Sequence, residues 1–316
     1  MAETLRTLFP PKPTFTEENV LDQSGKVFLV TGSSGGLGKE LVKMLYSKNA
    51  KVYVAARSES KALAAIDEAQ RHSPQSTGSL AYLHLDLDDL TTVRKSADLF
   101  LSMESRLHVL WNNAGVMVPP QGSKTTQGYE LQLGTNNVAP MLFTRLLYPA
   151  LAKAAKTSPE NSVRVVWVSS SAMRLAPKPA IDFSNMDYQR DEGPWVKYRR
   201  SKAANVIQAY EFARRSRESK DGIIHMSLDP GNLNTDLQRS MPRFQEKLVR
   251  LISYEPRFGA YTELFAGLHP DIKEENNGGW VASFGRLVDC PRRDLLDEKL
   301  GRDFWDWTEK ELTPYL

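Results

Sequence analysis

The sequence predicts an α/β fold in which helices cover both faces of a doubly wound parallel sheet of about seven strands. From residue 26 onward, short β-branched runs alternate with longer stretches of helical spacing. The runs are apolar along almost their whole length, which is typical of strands buried on both faces. Glycine-rich or polar motifs follow directly after them, at the edge where such sheets bind their ligands.

Six strands can be placed from the apolar runs. They are expected at residues 27–30, 51–55, 80–85, 107–111, 163–168 and 223–228. Helices are expected at residues 39–47, 60–71 and about 127–155. We predict one domain over residues 25–316, which includes a substrate-loop region (232–256) and a C-terminal helical cap (290–316) and follows an irregular N-terminal arm (1–24).

The composition argues against several classes of protein. With a formal net charge of +3, the chain lacks the concentrated basic stripe of a nucleic-acid binder. No apolar segment approaches the roughly 20 residues of a membrane span, and the five histidines are scattered without metal-ligand spacing. The single cysteine, Cys290, rules out an intrachain disulfide. We therefore expect a cytoplasmic protein that has no membrane span, uses no metal and binds no nucleic acid.

The first predicted strand is followed by a glycine-rich turn that opens a helix, with the sequence TGSSGGLG at residues 31–38. Glycines let the backbone approach a pyrophosphate, and the helix N-terminus supplies free N–H groups. The spacing resembles the T-G-x-x-x-G-x-G turn of the short-chain dehydrogenase/reductase family, and the resemblance extends from Lys26 to about Gly285. It implies a Rossmann-type domain that binds a nicotinamide dinucleotide. Within the turn, the expected cofactor-binding residues are Gly32, Ser34, Gly36, Leu37 and Gly38.

The second predicted strand ends in the sequence AARS at residues 55–58, without an acidic residue. A carboxylate here would bind the ribose 2′-hydroxyl of NAD and repel a 2′-phosphate. Arg57 can instead hold that phosphate through its planar, charge-assisted fork, with Ser33, Ser34 and Lys61 to assist. The sequence therefore predicts NADP(H), with a plain surface arginine as the alternative interpretation of Arg57.

The resemblance implies further cofactor contacts at the ends of three more strands. Asp86 and Leu87 match the family's adenine pocket, whereas the following Asp88 and Asp89 are more typical of a helix cap. An N-N-A-G motif follows the fourth strand, and a P-G-x-x-x-T loop follows the sixth. The residues carried over from these two motifs are Asn113, Ala114, Gly115, Pro230, Gly231, Leu233 and Thr235.

Tyr198 and Lys202 are four residues apart, which places them on one face of a predicted helix. A free tyrosine has a pKa near 10, roughly three units too high for efficient acid–base work at neutral pH, and a neighbouring ammonium is expected to lower it. Tyr198 would then protonate a carbonyl oxygen or deprotonate an alcohol. In the family, the counterpart of Lys202 also reaches the nicotinamide ribose hydroxyls, and both Tyr198 and Lys202 are expected to bind the cofactor.

Two further catalytic residues follow from the resemblance. The pattern V-S-S-x-A favours Ser170 as the hydroxyl that binds the substrate oxygen, with Ser169 in reserve and Ser171 least favoured. Asn136 matches the helix asparagine whose backbone holds a proton-relay water in the family. The adjacent Asn137 is the alternative, and the spacing to Thr144 favours Asn136.

The predicted function is an NADP(H)-dependent oxidoreductase that interconverts a carbonyl and an alcohol. The alternative is a catalytically silent regulatory protein of the same fold, which binds and senses NADP(H) without turnover. The chain also resembles the retinol-dehydrogenase-like and fungal secondary-metabolite reductase branch, which implies a hydrophobic small-molecule substrate. Its pocket would be lined by Met173, Leu175, Met186, Trp195, Leu237, Met241, Phe244 and Leu248.

Two assemblies stay open at this point. Many family members form homodimers through the helices that carry the asparagine and the Tyr–Lys pair. The C-terminal segment with Trp305 and Trp307 would favour a monomer if it covered that surface.

Overall fold

A computed structural model of the protein describes residues 6, 9–235 and 253–316, and within them all six expected strands are present in one sheet. The strands are β1 (Val27–Thr31), β2 (Lys51–Ala56), β3 (Ser79–His84), β4 (Val109–Asn112), β5 (Val163–Val168), β6 (Ile223–Leu228), β7 (Trp280–Ala282) and β8 (Arg286–Val288). Their order across the sheet is β3-β2-β1-β4-β5-β6-β7-β8, and only β8 runs antiparallel to its neighbour. The described residues thus form eight strands where about seven were expected. The two strands that had not been placed from the sequence, β7 and β8, have only three residues each.

Helices connect these strands across both faces of the sheet. They are α1 (Gly36–Ser47), α2 (Glu59–His72), α3 (Leu90–Met103), α4 (Ala139–Ala155), α5 (Pro194–Ser219), α6 (Pro256–Leu268) and α7 (Glu298–Leu312). Short 3₁₀ helices occur at Glu17–Asn19, Ser171–Leu175, Glu274–Asn276, Arg293–Leu296 and Thr313–Tyr315. The helical stretch expected from about residue 127 begins later, with one α-turn (Leu131–Leu133) and a π-helical turn (Gly134–Val138) before α4.

Alternate residues of each strand enter two hydrophobic cores, one on each face. Leu29 of β1 belongs to the core that α3, α4, α5 and α7 cover, whereas Phe28 and Val30 belong to the core that α1, α2 and α6 cover. Burial on both faces explains why these strands are apolar throughout. In the first core, Trp305 of α7 packs edge-on against Phe212 of α5, with ring centroids 4.7 Å apart.

The described part of the chain lacks two features that would change the functional interpretation, a membrane-spanning helix and a metal site. None of its helices combines the length and the apolar character that crossing a membrane requires. Nor does it bring together three or more His, Cys, Asp or Glu residues in a way that could hold a metal ion.

Candidate active site

The glycine-rich turn connects β1 to α1 and packs tightly on one side. A Cβ at Gly32 would lie 2.8 Å from Ala114 Cα, and one at Gly38 would lie 2.6 Å from Asn113 Nδ2. Gly32 and Gly36 also have positive φ angles of 66° and 56°, a conformation that favours glycine. These positions therefore require glycine for the turn to close against the end of β4.

The other side of the turn offers an anion-binding surface. Helix α1 begins at Gly36 without a side-chain cap, so its first N–H groups point out of the helix unbonded by a capping side chain. A Cβ at Gly35 would meet nothing within 4 Å, and Thr235 lies 3.6 Å from a Cβ placed on Gly36. Thr235, in the loop after β6, therefore lies close to the turn, beside N–H groups of a kind that bind pyrophosphate.

The side chains of the turn differ in burial and in the groups they contact. Ser33 is buried and its hydroxyl donates to Val30 O at 2.7 Å, so it is not positioned to assist with a phosphate as expected. Ser34 is half-buried. The side chains of Leu37, in the turn, and Leu233, in the loop after β6, both lie over Gly259 of α6. This shared contact joins the turn to that loop.

Thr31 connects the turn to the N-N-A-G motif. Its hydroxyl donates to Trp111 O and accepts the N–H groups of Asn113 and Ala114 at 3.0 and 2.9 Å. The side-chain amide of Asn113 in turn donates to Thr31 O at 2.7 Å. This side chain, expected next to the cofactor, therefore also holds two strand ends together.

Arg57 directly follows β2, and its side chain is exposed. Lys61, in the first turn of α2, is exposed as well. Burial, reinforced by the negative charge of Asp86, raises the pKa of Asp88, and the positive charge of Arg57 opposes that rise. Arg57 therefore lies at the end of β2, close to the carboxylates that follow β3. Its guanidinium forms no hydrogen bond with the described residues.

The third strand is followed by the predicted adenine pocket. Asp86 is half-buried and its Oδ1 accepts the N–H of Asp88 at 3.1 Å, whereas the Leu87 side chain belongs to the core. Asp89 caps α3 by accepting the N–H of Thr91 at 2.9 Å, as the sequence predicted. Among the described residues no partner is found for Oδ2 of Asp86, and the buried Oδ1 of Asp88 also has none.

Tyr198 and Lys202 lie together on α5, both nearly buried. The Lys202 ammonium is 5.8 Å from the centre of the Tyr198 ring and donates to Val168 O at 2.9 Å. The Ser170 hydroxyl hydrogen-bonds the Tyr198 phenol. Ser169 instead donates to Lys202 O at 2.6 Å, so of these two serines the structure brings Ser170 to the tyrosine.

The pKa values of the pair differ from the expectation. Burial raises the pKa of the Tyr198 phenol, the charge of Asp229 raises it further, and the hydrogen bond from Ser170 opposes the rise. Burial also lowers the pKa of Lys202 to about 8. The prediction of a lowered pKa for Tyr198 is therefore wrong for this arrangement, because burial raises it overall. For Tyr198 and for Lys202, removal from water shifts the pKa more than any neighbouring group does.

Asn136 lies on the π-helical turn and faces the same cleft. A Cβ on Gly115 would be 3.1 Å from Asn136 Oδ1 and 3.5 Å from Lys202 Nζ, so Gly115 separates these two side chains. The side-chain amide of Asn136 also connects the π-helical turn to the backbone of Val116. It accepts the N–H of Val116 and donates to the C=O of Val116. Asn137 points elsewhere and donates to Ser201 O at 2.9 Å.

Asp229, at the end of β6, is a residue of this site that sequence reasoning missed. Its fully buried carboxylate accepts the N–H groups of Ser171 and Gly231 and the hydroxyl of Ser283 at 3.0 Å. It thus joins the segments that follow β5, β6 and β7, beside the half-buried Pro230. An acidic residue that directly follows an apolar strand was the available signal.

Residues 176–193, which we call the pocket segment, are fixed from α5. Arg200 donates twice to the carboxylate of Glu192, at 2.7 Å each, and also to Pro179 O and Ala180 O. Within the segment, Asn185 and Arg190 exchange two hydrogen bonds. Arg200 therefore fixes the pocket segment to a side of α5 that Tyr198 and Lys202, each two residues away, do not share.

The predicted pocket residues have different surroundings. Trp195 is half-buried and packs edge-on against Tyr198 at 6.1 Å, Leu175 is 66 % exposed, and Met186 is half-buried against the core. Met173 is fully buried, because the 3₁₀ helix turns it into the core, so its assignment to the pocket wall is wrong. The remaining four, Leu237, Met241, Phe244 and Leu248, lie outside the described residues.

Comparison with known proteins gives consistent matches. Residues 26–181 match the family model described as short chain dehydrogenase. The short-chain dehydrogenase/reductase pkfC of Emericella nidulans is 54% identical over 306 residues, which cover 96% of this chain and 98% of that protein.

Two solved structures share the fold. An uncharacterised protein from Mycobacterium paratuberculosis has a TM-score of 0.72 at 26% identity, with 94% of this chain and 96% of that one covered. The NADPH-bound carbonyl reductase from chicken fatty liver has a TM-score of 0.64 at 20% identity, with 87% and 97% covered.

Proposed function

The chain belongs to the short-chain dehydrogenase/reductase family of oxidoreductases, and from this premise we propose that it uses NADP(H) to interconvert a carbonyl and an alcohol on a hydrophobic small molecule. The observation that carries the proposal is the hydrogen bond between Ser170 and Tyr198, with Lys202 one helical turn further along α5. A protein that only senses the cofactor would have no need of a buried acid with two supporting polar groups.

The cofactor assignment rests on residues that fit a dinucleotide phosphate. The uncapped start of α1 suits the pyrophosphate, and Arg57 suits a 2′-phosphate because its exposed guanidinium is free to form charge-assisted hydrogen bonds. No acidic residue ends β2, where NAD-specific sites usually carry one. When bound, the nicotinamide supplies or accepts the hydride.

The protein's own groups supply the proton. Because the pKa of Tyr198 is raised, the phenol stays protonated at neutral pH and can donate to the oxygen of a carbonyl substrate. The Ser170 hydroxyl can donate a second hydrogen bond to that oxygen as negative charge develops on it. Lys202, with a pKa of about 8, is mostly protonated at pH 7 and stabilises the phenolate left behind. These protonation states favour the direction of reduction.

We propose that the substrate is a hydrophobic secondary metabolite. The half-buried Trp195, which packs against Tyr198, and the exposed Leu175, in the 3₁₀ helix that follows Ser170, provide apolar surface for such a substrate. A mostly apolar wall with a few polar groups at one point is the usual form of a small-molecule site.

The test is NADPH oxidation followed by absorbance with a panel of hydrophobic ketones and aldehydes. Tyr198→Phe should abolish turnover and leave NADPH binding intact, because the phenyl ring keeps the packing and loses only the proton. Tyr210→Phe, further along the same helix, is the matched control and should keep full activity. Tight NADPH binding without turnover of any carbonyl by the parent protein would instead support the regulatory alternative.

A further inference from the structure

We propose that Arg292, from the C-terminal part of the chain, is a positioning residue that holds Ser170 in place against Tyr198. The inference rests on the proposed function, because it concerns the hydroxyl that is expected to contact the substrate oxygen. Arg292 acts through the 3₁₀ helix Ser171–Leu175, which we call the serine helix.

Arg292 binds the last carbonyl groups of the serine helix. Its Nη1 donates to Ala176 O at 2.9 Å, to Arg174 O at 3.2 Å and to Met173 O at 3.4 Å. Its Nε and Nη2 form a fork with the carboxylate of Asp294, at 2.7 and 2.6 Å. The side chain of Arg292 is 11% exposed. Met173 O also accepts the N–H of Ala176, so it is the Arg174 and Ala176 carbonyls at the helix end for which this guanidinium supplies a partner.

The serine helix depends on such outside contacts. It has five residues, and helices of this length are not stable by themselves in water. Asp229 accepts the N–H of Ser171 at its beginning, and Arg292 binds the carbonyls at its end. A cation at a helix C-terminus and an anion at an N-terminus are both favourable with respect to the helix dipole.

Ser170 is the residue that caps this helix. Its hydroxyl accepts the N–H of Ala172 at 3.2 Å, and its carbonyl accepts the N–H of Met173 at 3.1 Å. A shift of the helix therefore moves the hydroxyl relative to Tyr198. Because displacements of about 1 Å at a reacting group can reduce rates by roughly 100-fold, a contact 118 residues away along the chain influences the chemistry.

Arg292→Ala is the test, with Arg293→Ala as the matched control, since Arg293 is in the same segment but is 85% exposed and pairs with the equally exposed Asp289. Arg292→Ala should lower kcat by about 10- to 100-fold and leave KM for NADPH within about twofold. Free guanidinium ion should restore part of the rate, and Arg292→Lys should retain part of it.

Hydrogen exchange tests the same inference without turnover. The amides of Ala172, Met173 and Ala176 should exchange faster in Arg292→Ala than in Arg293→Ala or the parent. Unchanged exchange at these amides, or a parental kcat, would overturn the proposal. A parent protein that turns over no carbonyl would refute the proposed function, whereas the exchange contrast would still decide the role of Arg292. If Arg292→Ala does not fold, Asp294→Asn should produce the same changes at smaller size, and their absence would overturn the proposal too.

Discussion

Replacing Lys202 by methionine should remove activity and at the same time change how stability depends on pH. Lys202 is fully surrounded by protein, and burial lowers its pKa to about 8 from the ordinary 10.5. A lysine whose pKa is lowered in the folded state binds its proton more weakly there than in the unfolded chain. Its charge therefore destabilises the fold at pH values below 8, and this destabilisation disappears as the pH rises toward 10.5.

The magnitude follows from the two pKa values. A difference between about 8 and 10.5 corresponds to about 3 kcal/mol of destabilisation at pH 7, where both states are protonated. At pH 10 the folded state is neutral and the unfolded state mostly protonated, which leaves about 1 kcal/mol. Relative to Lys202→Met, the parent should therefore gain about 2–3 kcal/mol of unfolding free energy between pH 7 and pH 10. Loss of the hydrogen bond to Val168 O shifts the difference equally at every pH and cancels from this comparison.

The assay is urea unfolding of the parent and the variant, without cofactor, at intervals from pH 7 to pH 10. Lys153→Met, which replaces an exposed lysine on α4, is the control, and its difference from the parent should stay constant with pH. A constant difference for Lys202→Met as well would refute the reasoning, because it would mean that burial does not weaken proton binding at Lys202.

Three other substitutions test the cofactor site and the core. Arg57→Asp should shift the preference from NADPH toward NADH by about 10- to 100-fold in relative kcat/KM, whereas Arg71→Asp on the surface of α2 should not. Gly38→Ala should lower the melting temperature and weaken NADPH binding at least tenfold, because its Cβ would lie 2.9 Å from a backbone carbon, whereas Gly35→Ala meets nothing within 4 Å and should melt like the parent. Burial raises the pKa of Glu263 to about 8, so Glu263→Gln should gain about 3 kcal/mol of stability over the parent between pH 4 and pH 7; an unchanged gap in urea unfolding would contradict this.

The sequence was sufficient for the strands and motifs that depend on local pattern. Strands β1 to β6 are apolar on both faces, and this property is visible in single runs of residues. The glycine turn and the Tyr–Lys pair could be placed for the same reason, since each is a short motif at the end of a strand or on one helix face, whereas Ser170 was favoured over its neighbours only through the resemblance to the family. Strands β7 and β8 were not placed individually, because three residues give too short a pattern.

Contacts between distant segments could not be predicted in this way. The hydrogen bonds from Arg292 to the serine helix join parts of the chain that no periodicity relates. An arginine two residues before an aspartate is also too common a pattern to indicate such a contact. The raised pKa of Tyr198 had a similar origin. The spacing to Lys202 was correct, but the depth of burial, which dominates the pKa, follows only from the packing of α5 against its neighbours.

The pocket segment has a consequence for protein engineering. Arg200 holds both of its ends from α5, while Asn185 and Arg190 brace its middle against itself. A segment that is anchored at two points and internally braced can be exchanged as a cassette, provided that the residues contacted by Arg200 are kept. If the segment contributes to the substrate pocket as we propose, grafting residues 181–191 from related reductases would change the substrate range and leave Tyr198 and Lys202 in place.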